Sequence, residues 1–381
     1  MVERALVVRL YFDVREAEES ESLLEELGEL VRTLDIEVVE SVLARSREMH
    51  KKFLCGTGKA AEIVDLARAH ECDVIVIDNG LAPSQQREWE KLADLCVIDR
   101  EEVILDIFAK RARTKEARLQ VDLARMQYAL PRLARMWGHL DREAAGSGGS
   151  QSGGTSRGMG EKQIEVDRRL AHLTIDRAKR ELELVRKQRK TQRKERERQD
   201  TPQAAIVGYT NAGKSTLLNT LTKSTVFTED LLFATLDTST RRLQLPRERE
   251  VLITDTVGFI RSLPESLMGA FKATLEEMRD ADLLLHVVDA SNPRFEAHIT
   301  QVNRILGELE LGNKPQLLVF NKSDLLKGMK KNDTIAFLKV RQFARTRNGI
   351  MIAANDRASL APLLEELQHR FWAEGLEPLI D

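Results

Sequence analysis

The chain has 381 residues, enough for two or three domains that each bury a core without help from disulfides or metals. Its 59 Lys and Arg nearly cancel 61 Asp and Glu, a formal net charge of -2, so any affinity for nucleic acid must come from local patches. Cys55, Cys72 and Cys96 form no C-x-x-C pair, which argues against a disulfide framework or a zinc site, and no apolar run reaches the roughly 20 residues that span a bilayer.

The N-terminus "MVERALVVRLYF" lacks the flanks of a signal peptide, so a soluble, cytoplasmic protein is expected. Over residues 1–112, "ALVVRLYF", "IEVVESVLA", "DVIVID" and "CVID" read as strands. They alternate with helical patterns such as "ESLLEELGELVRTL" and "EEVILDIFAKRA", an order that predicts a parallel α/β layer. The turn Gly56-Thr57-Gly58 reads as a plain helix start. Residues 113–199 change character. Leu119, Leu123, Met126, Leu130, Leu133, Trp137 and Leu140 step by four and three, and Ile164, Ala171, Ile175, Ala178, Leu182 and Val185 form a second seam. Two such helices, joined by the Gly/Ser-rich stretch 144–163, predict an antiparallel, coiled-coil-like hairpin with that stretch as its tip. Pro131 should kink the first helix. Arg125, Arg132 and Arg135, with "RKQRKTQRKERER" in the second helix, predict basic outer faces. Together with Arg157 and Lys162 in the tip they suit contact with RNA.

Residues 200–381 carry the chemistry. In "QAAIVGYTNAGKSTLLNTLTKS" a strand, a Gly-x-x-x-x-Gly-Lys-Ser loop and a helix follow in the order of a phosphate-binding loop. Gly208, Tyr209, Thr210, Asn211, Ala212, Gly213, Lys214, Ser215 and Thr216 are the expected nucleotide contacts. The glycines let backbone N–H groups face the phosphates, Lys214 reaches the outer phosphates, and the Ser215 hydroxyl suits Mg2+. "LLVFNKSD" supplies Asn321, Lys322 and Asp324, which resemble the guanine-recognition motif of GTPases. Asp324 accepts from the N1–H and amine that guanine presents and adenine does not, which favours GTP and GDP. "LITDTVG" supplies Asp255 for the metal and Gly258, whose amide senses the γ-phosphate.

In "LLFATLDTSTRR" one threonine should close over Mg2+ in the GTP state: Thr235 first, Thr238 second. Lys214, Thr235 and Gly258 are therefore the catalytic candidates, with Ser215, Thr235 and Asp255 on the metal. Ala353, Ala354 and Asn355 form the expected loop around the base, with Ala353 where many GTPases have serine, so a looser scaffold is expected there. Phe259 stands where a Ras-like GTPase has its water-orienting glutamine, so slow intrinsic hydrolysis is expected. Asn211 either holds a K+ ion beside the phosphates or bonds the loop to itself.

Beyond these motifs, "VIDREEVILDIFAKRARTKEARLQVDLARMQYALPRL", "LAPSQQREWEKL", "FLCGTGKAAEI", "LFATLDTSTRRL" and "DTVGFIRSLPESLMGAFKATLEE" resemble the HflX family of ribosome-associated GTPases over nearly the whole chain. The resemblance implies a monomeric GTP-hydrolysing factor. It would bind the large ribosomal subunit and its RNA through the hairpin and split stalled or idle ribosomes. Alternatives are an assembly or RNA-remodelling GTPase, with ATPase activity in some relatives, and a signalling switch with protein partners. The family's tip reads Gly-Pro-Gly-Glu-Thr-Gln, whereas this chain has Gly158-Met159-Gly160-Glu161-Lys162-Gln163. The sequence ends soon after "LAPLLEELQHRFWAEG", and the extra C-terminal domain of many members is expected to be absent.

Overall fold

The computed structural model describes residues 2–146, 166, 169–185, 187, 201–222, 232–233, 236, 239–245, 249–261, 277–326 and 331–372. They fall into two compact units, the first within Met1–Lys187 and the second from Thr201 onward. Among them no helix is long and apolar enough to cross a membrane.

The first unit is a four-stranded, wholly parallel sheet in the order β2-β1-β3-β4, formed by β1 (Arg4–Tyr11), β2 (Glu37–Arg45), β3 (Val74–Ile77) and β4 (Cys96–Asp99). Helices α1 (Ala17–Thr33), α2 (Thr57–Ala69), α3 (Pro83–Ala93) and α4 (Arg100–Arg111) alternate with the strands, as the apolar runs predict. Leu6, Val8 and Leu10 alternate along β1 and meet Ile63 and Val64 of α2 and Trp89 of α3, while α1 packs against β1, β2 and α4. Local chemistry fixes the ends. Asp99 accepts the Glu102 N–H at 3.1 Å to start α4, Pro83 opens α3, and α2 begins after Gly56 with no side-chain cap, the plain helix start expected.

Helix α5 (Lys115–Gly146) runs on through Pro131, and residues 169–185 form a second helix, α6. The ion pair of Lys115 with Glu181 at 3.3 Å sets the start of α5 beside the end of α6, as an antiparallel hairpin requires. On α6 the expected seam residues Ile175, Ala178 and Leu182 are buried. On α5 the result differs: the buried apolar positions are Ala117, Val121, Ala124 and Tyr128, while Leu119, Leu123, Met126 and Leu130 are only half-buried. The reason is that α5 also packs on α4, so it needs a second apolar face.

Arg132 likewise departs from the expected outward basic face. Its guanidinium donates to Gln86 Oε1 at 2.8 Å and the Leu81 carbonyl at 3.0 Å, lies 3.4 Å from Asp99 Oδ2, and stacks over the Tyr128 ring. The Tyr128 hydroxyl in turn donates to Asp99 at 3.0 Å. Arg125 pairs with Asp106 at 2.8 Å.

The second unit is a six-stranded sheet in the order β10-β9-β8-β5-β7-β6. Its strands are β5 (Gln203–Gly208), β6 (Ser239–Leu245), β7 (Arg249–Asp255), β8 (Leu283–Asp289), β9 (Gln316–Asn321) and β10 (Ile350–Met351), parallel except for the β6–β7 pair. One face packs Ile206, Leu285, Val287 and Val319 against α7 (Lys214–Thr222) and α10 (Ala361–Trp372). The other packs Val288 and Phe320 against α8 (Phe295–Glu308) and α9 (Lys331–Thr346). The buried strands β5 and β8 are largely apolar, as parallel strands covered on both faces must be, with the buried His286 interrupting the run in β8.

Candidate nucleotide site

The site gathers where β5, β7, β8 and β9 end, the edge at which open parallel sheets bind ligands. The residues from Gly208 to Gly213 turn the chain from β5 into the N-terminus of α7, whose first N–H groups have no intrahelical partner. Two glycines are required by geometry. Gly208 (φ 151°) lies against the Val287 carbonyl and Gly213 (φ 89°) against the Asn321 amide, and in each case a Cβ would collide with that neighbour. Asn211 also has a positive φ, 58°, at the loop's exposed tip, and its side chain makes no hydrogen bond within the loop.

Lys214 is buried and donates to the Tyr209 carbonyl at 2.7 Å. Burial pushes its ammonium down to about 8, with Asp255 pulling the other way. Ser215 donates to Asp255 Oδ2 at 2.6 Å, so the end of β7 and the start of α7 bring a hydroxyl and a carboxylate together. Thr216 lies one residue further along α7. After Asp255, Thr256 Oγ1 donates to the Ile206 carbonyl at 2.6 Å, and the chain turns back along the loop. Phe259 N–H donates to the Gly208 carbonyl at 3.0 Å, and Thr210 N–H donates to the Phe259 carbonyl at 2.8 Å. Between these anchors Gly258 lies so close that a Cβ would stand 2.9 Å from Lys214 Nζ.

The base side is braced by side chains. Asn321 donates from Nδ2 to the Ala212 carbonyl and accepts the Ala354 N–H at Oδ1, both at 2.8 Å. Thr220 Oγ1 donates to the Ala354 carbonyl at 2.6 Å. Lys322 pairs with Asp289 at 2.8 Å, and Asp289 accepts from the Ser291 N–H and hydroxyl. Asp324 is exposed at the loop, 3.4 Å from Asn355 Nδ2. The looser scaffold expected at Ala353 does not arise, because Ser359 supplies a hydroxyl from elsewhere: it accepts the Ala353 N–H at 2.9 Å and donates to its carbonyl at 2.7 Å.

The fold thus brings together Gly208 to Thr216, Asp255, Gly258, Asn321, Lys322, Asp324 and Ala353 to Asn355. Thr235, Thr238, Arg157 and Lys162 lie outside the described residues, as do residues 147–163 of the tip. Sequence reading missed Thr220, Asp289, Ser359 and His298. The His298 ring stacks on Tyr209 with centroids 4.0 Å apart and planes 5° from parallel. Thr220, Asp289 and His298 are recognised only through partners far away in the chain, and Ser359 only through its fold back onto Ala353, so no local pattern marks them.

Three family models match the chain in succession: "GTP-binding GTPase N-terminal" over residues 21–109, "GTP-binding GTPase Middle Region" over 111–196, and "50S ribosome-binding GTPase" over 203–322. The GTPase HflX of Akkermansia muciniphila is 60% identical over 327 residues, 86% of this chain and 75% of that protein. The GTPase HflX of Escherichia coli K12 is 40% identical over 376 residues, 98% of this chain and 84% of that protein. Among solved structures, the complex of SsGBP with GDP aligns over 97% of this chain and 98% of that one, with a TM-score of 0.51 at 22% identity, a likeness of fold.

Proposed function

The chain belongs to the GTPase HflX family and is a GTP-hydrolysing enzyme, and from that premise we propose that it binds the large ribosomal subunit and splits stalled or idle ribosomes. The observation that carries this reading is the match of residues 203–322, which contain the phosphate loop, Asp255, Gly258 and the first two residues of the Asn321-Lys322-Ser323-Asp324 motif, to a 50S ribosome-binding GTPase. The antiparallel α5–α6 pair supports it, since the helices present the exposed cations Arg169, Arg177 and Arg180 for phosphate contact.

In this reading Asp324 accepts from the guanine N1–H and amine, Lys322 is held in place by Asp289, and the Ala353–Asn355 backbone lines the base. Lys214 turns from the Tyr209 carbonyl to the outer phosphates, and the Gly258 N–H donates to the γ-phosphate. The hard oxygen pair of Ser215 and Asp255 fits Mg2+, with Thr235 as the third candidate ligand. When bound, the ion neutralises charge that develops on the β- and γ-phosphates. Phe259 is buried and carries no group that orients water, so turnover by the isolated protein is slow and rises on contact with the ribosome. Asn211, exposed at the tip of the phosphate loop, is the candidate for holding a K+ ion beside the phosphates, with bonding of the loop to itself as the alternative.

The test is GTP hydrolysis with and without large subunits, in potassium and in sodium, alongside sedimentation of intact ribosomes. Stimulation together with subunit separation supports splitting. Stimulation without separation favours an assembly or surveillance role, and no response to large subunits overturns the ribosomal reading.

A further inference from the structure

Tyr209 occupies a position in the phosphate loop that sequence motifs leave open to any residue, yet here it is tied on four sides. Its carbonyl accepts Lys214 Nζ at 2.7 Å, and its hydroxyl accepts the Arg261 N–H at 3.1 Å. Its backbone forms a parallel bridge with Phe259, and its ring lies flat on His298. His298 projects from α8, which is itself anchored by the buried residues Phe295, Ile299 and Val302. The imidazole faces Arg261, Asp289 and Arg294. Burial first, with Arg261 adding to it, pushes its pKa down to about 4, so it stacks as a neutral ring at pH 7.

We propose that His298 is a positioning residue for the γ-phosphate response: by holding the Tyr209 ring against α8, it keeps the tyrosine hydroxyl where it receives Arg261 and so fixes the segment that carries Gly258. Hydrogen bonds that join that segment to the phosphate loop include three: Phe259 N–H to Gly208, Thr210 N–H to Phe259, and Arg261 N–H to the Tyr209 hydroxyl. The first two are backbone to backbone and sit next to Gly258. The third depends on where a side chain points, and the stack is what sets that direction. An unsupported Tyr209 ring would rotate, Arg261 would lose its acceptor, and the Gly258 N–H would spread over positions that include unproductive ones. A ligand responds to such a change only through contacts that differ between states. GTP, whose γ-phosphate meets Gly258, is therefore weakened by loss of the stack, while GDP, which does not reach Gly258, is not.

The inference rests on the assignment of Gly258 as the γ-phosphate sensor, and the experiment separates the two. Fluorescent GDP and a non-hydrolysable fluorescent GTP analogue are titrated against the full chain and its His298→Ala, His298→Gln, His298→Phe and Gly258→Ala variants. The expected result is a loss of about three- to tenfold in analogue affinity for His298→Ala and His298→Gln, the range an aromatic pair supports. GDP affinity should stay within about twofold of the parent, and His298→Phe, which keeps a ring, should recover the analogue affinity. Equal loss of both nucleotides, no loss of either, or failure of His298→Phe to recover overturns the inference. If Gly258→Ala also fails to discriminate between the nucleotides, the sensor assignment falls and the inference with it. If Gly258→Ala discriminates and His298→Ala does not, the inference alone falls.

Discussion

Among the described residues each unit buries one lysine or arginine, Arg100 in the first and Lys214 in the second, and the surroundings act on them in opposite directions. Burial works against the charge of both. Around Arg100 it is outweighed, because Glu26 and Asp78 flank the guanidinium and raise its pKa above the ordinary value. Asp78 also receives Arg9, so the interior holds a chain of alternating charges. Around Lys214 burial prevails and the pKa falls to about 8, since the amine has a peptide carbonyl and a carboxylate that Ser215 already engages. A cation flanked by carboxylates of its own protein serves architecture. One left short of negative charge at a helix N-terminus is a receptor for an anion.

That contrast can be broken experimentally from either side. Arg100→Met should cost the most, about 4 kcal/mol of stability, because it removes the guanidinium that Glu26 and Asp78 share in the interior and leaves Arg9 as the cation on Asp78. Denaturant unfolding followed through the buried Trp89 checks it, and a shift under about 1 kcal/mol would mean the carboxylates find other partners. Lys214→Ala should leave the fold intact and weaken GTP binding by about 3 kcal/mol, roughly a hundredfold or more, by fluorescence titration. Affinity close to that of the parent would remove Lys214 from the phosphate site. Asp324→Asn should weaken GTP by about 2 kcal/mol and turn preference toward xanthosine triphosphate, whose C2 oxygen accepts where guanine donates. Retained preference for GTP in competition assays would show that the base is read elsewhere.

The smallest effect is a pH dependence whose sign follows from the depressed pKa of Lys214. Below pH 8 the amine of the empty site is charged and ready for phosphate. Above it a proton must be taken up on binding, so GDP affinity should fall by about fivefold as pH rises from 8 to 9. Titrations at fixed ionic strength test this, with Lys214→Arg expected to flatten the curve. An unchanged slope in that variant would assign the titration to another group.

The two cations also mark what the sequence makes legible. Lys214 sits in a contiguous strand, loop and helix whose spacing alone states its role, and Asn321 and Asp324 follow a strand in the same way. The alternating strands and helices of the first unit were readable for the same reason, since each apolar run is local; the order β2-β1-β3-β4 was not, because it depends on pairings between distant segments. Arg100, by contrast, is one charge among many in "VIDREEVILDIFAK", and its partners lie 22 and 74 residues away. Arg132 reads as a solvated helix face until Gln86, Leu81 and Asp99 come round to meet it. On α5 the seam through Leu119 and Leu123 is the more apolar stripe. The stripe through Ala117, Val121, Ala124 and Tyr128 is made of small or amphipathic residues, and only the presence of α4 reveals it. Ser359 similarly supplies the hydroxyl that Ala353 lacks, a substitution of function across six positions that residue-by-residue comparison with other GTPases overlooks.

The one carboxamide of Asn321 joins the proposed phosphate loop, at Ala212, to the proposed base loop, at Ala354. Two recognition events are thereby made into one cooperative event. Whatever steadies Ala354 around a purine also steadies Ala212 beside the phosphates, and the reverse. A fragment that fills only one end should forfeit more than the contacts it lacks, so nucleosides and bare phosphates are expected to bind more weakly than their share of the contacts alone would give.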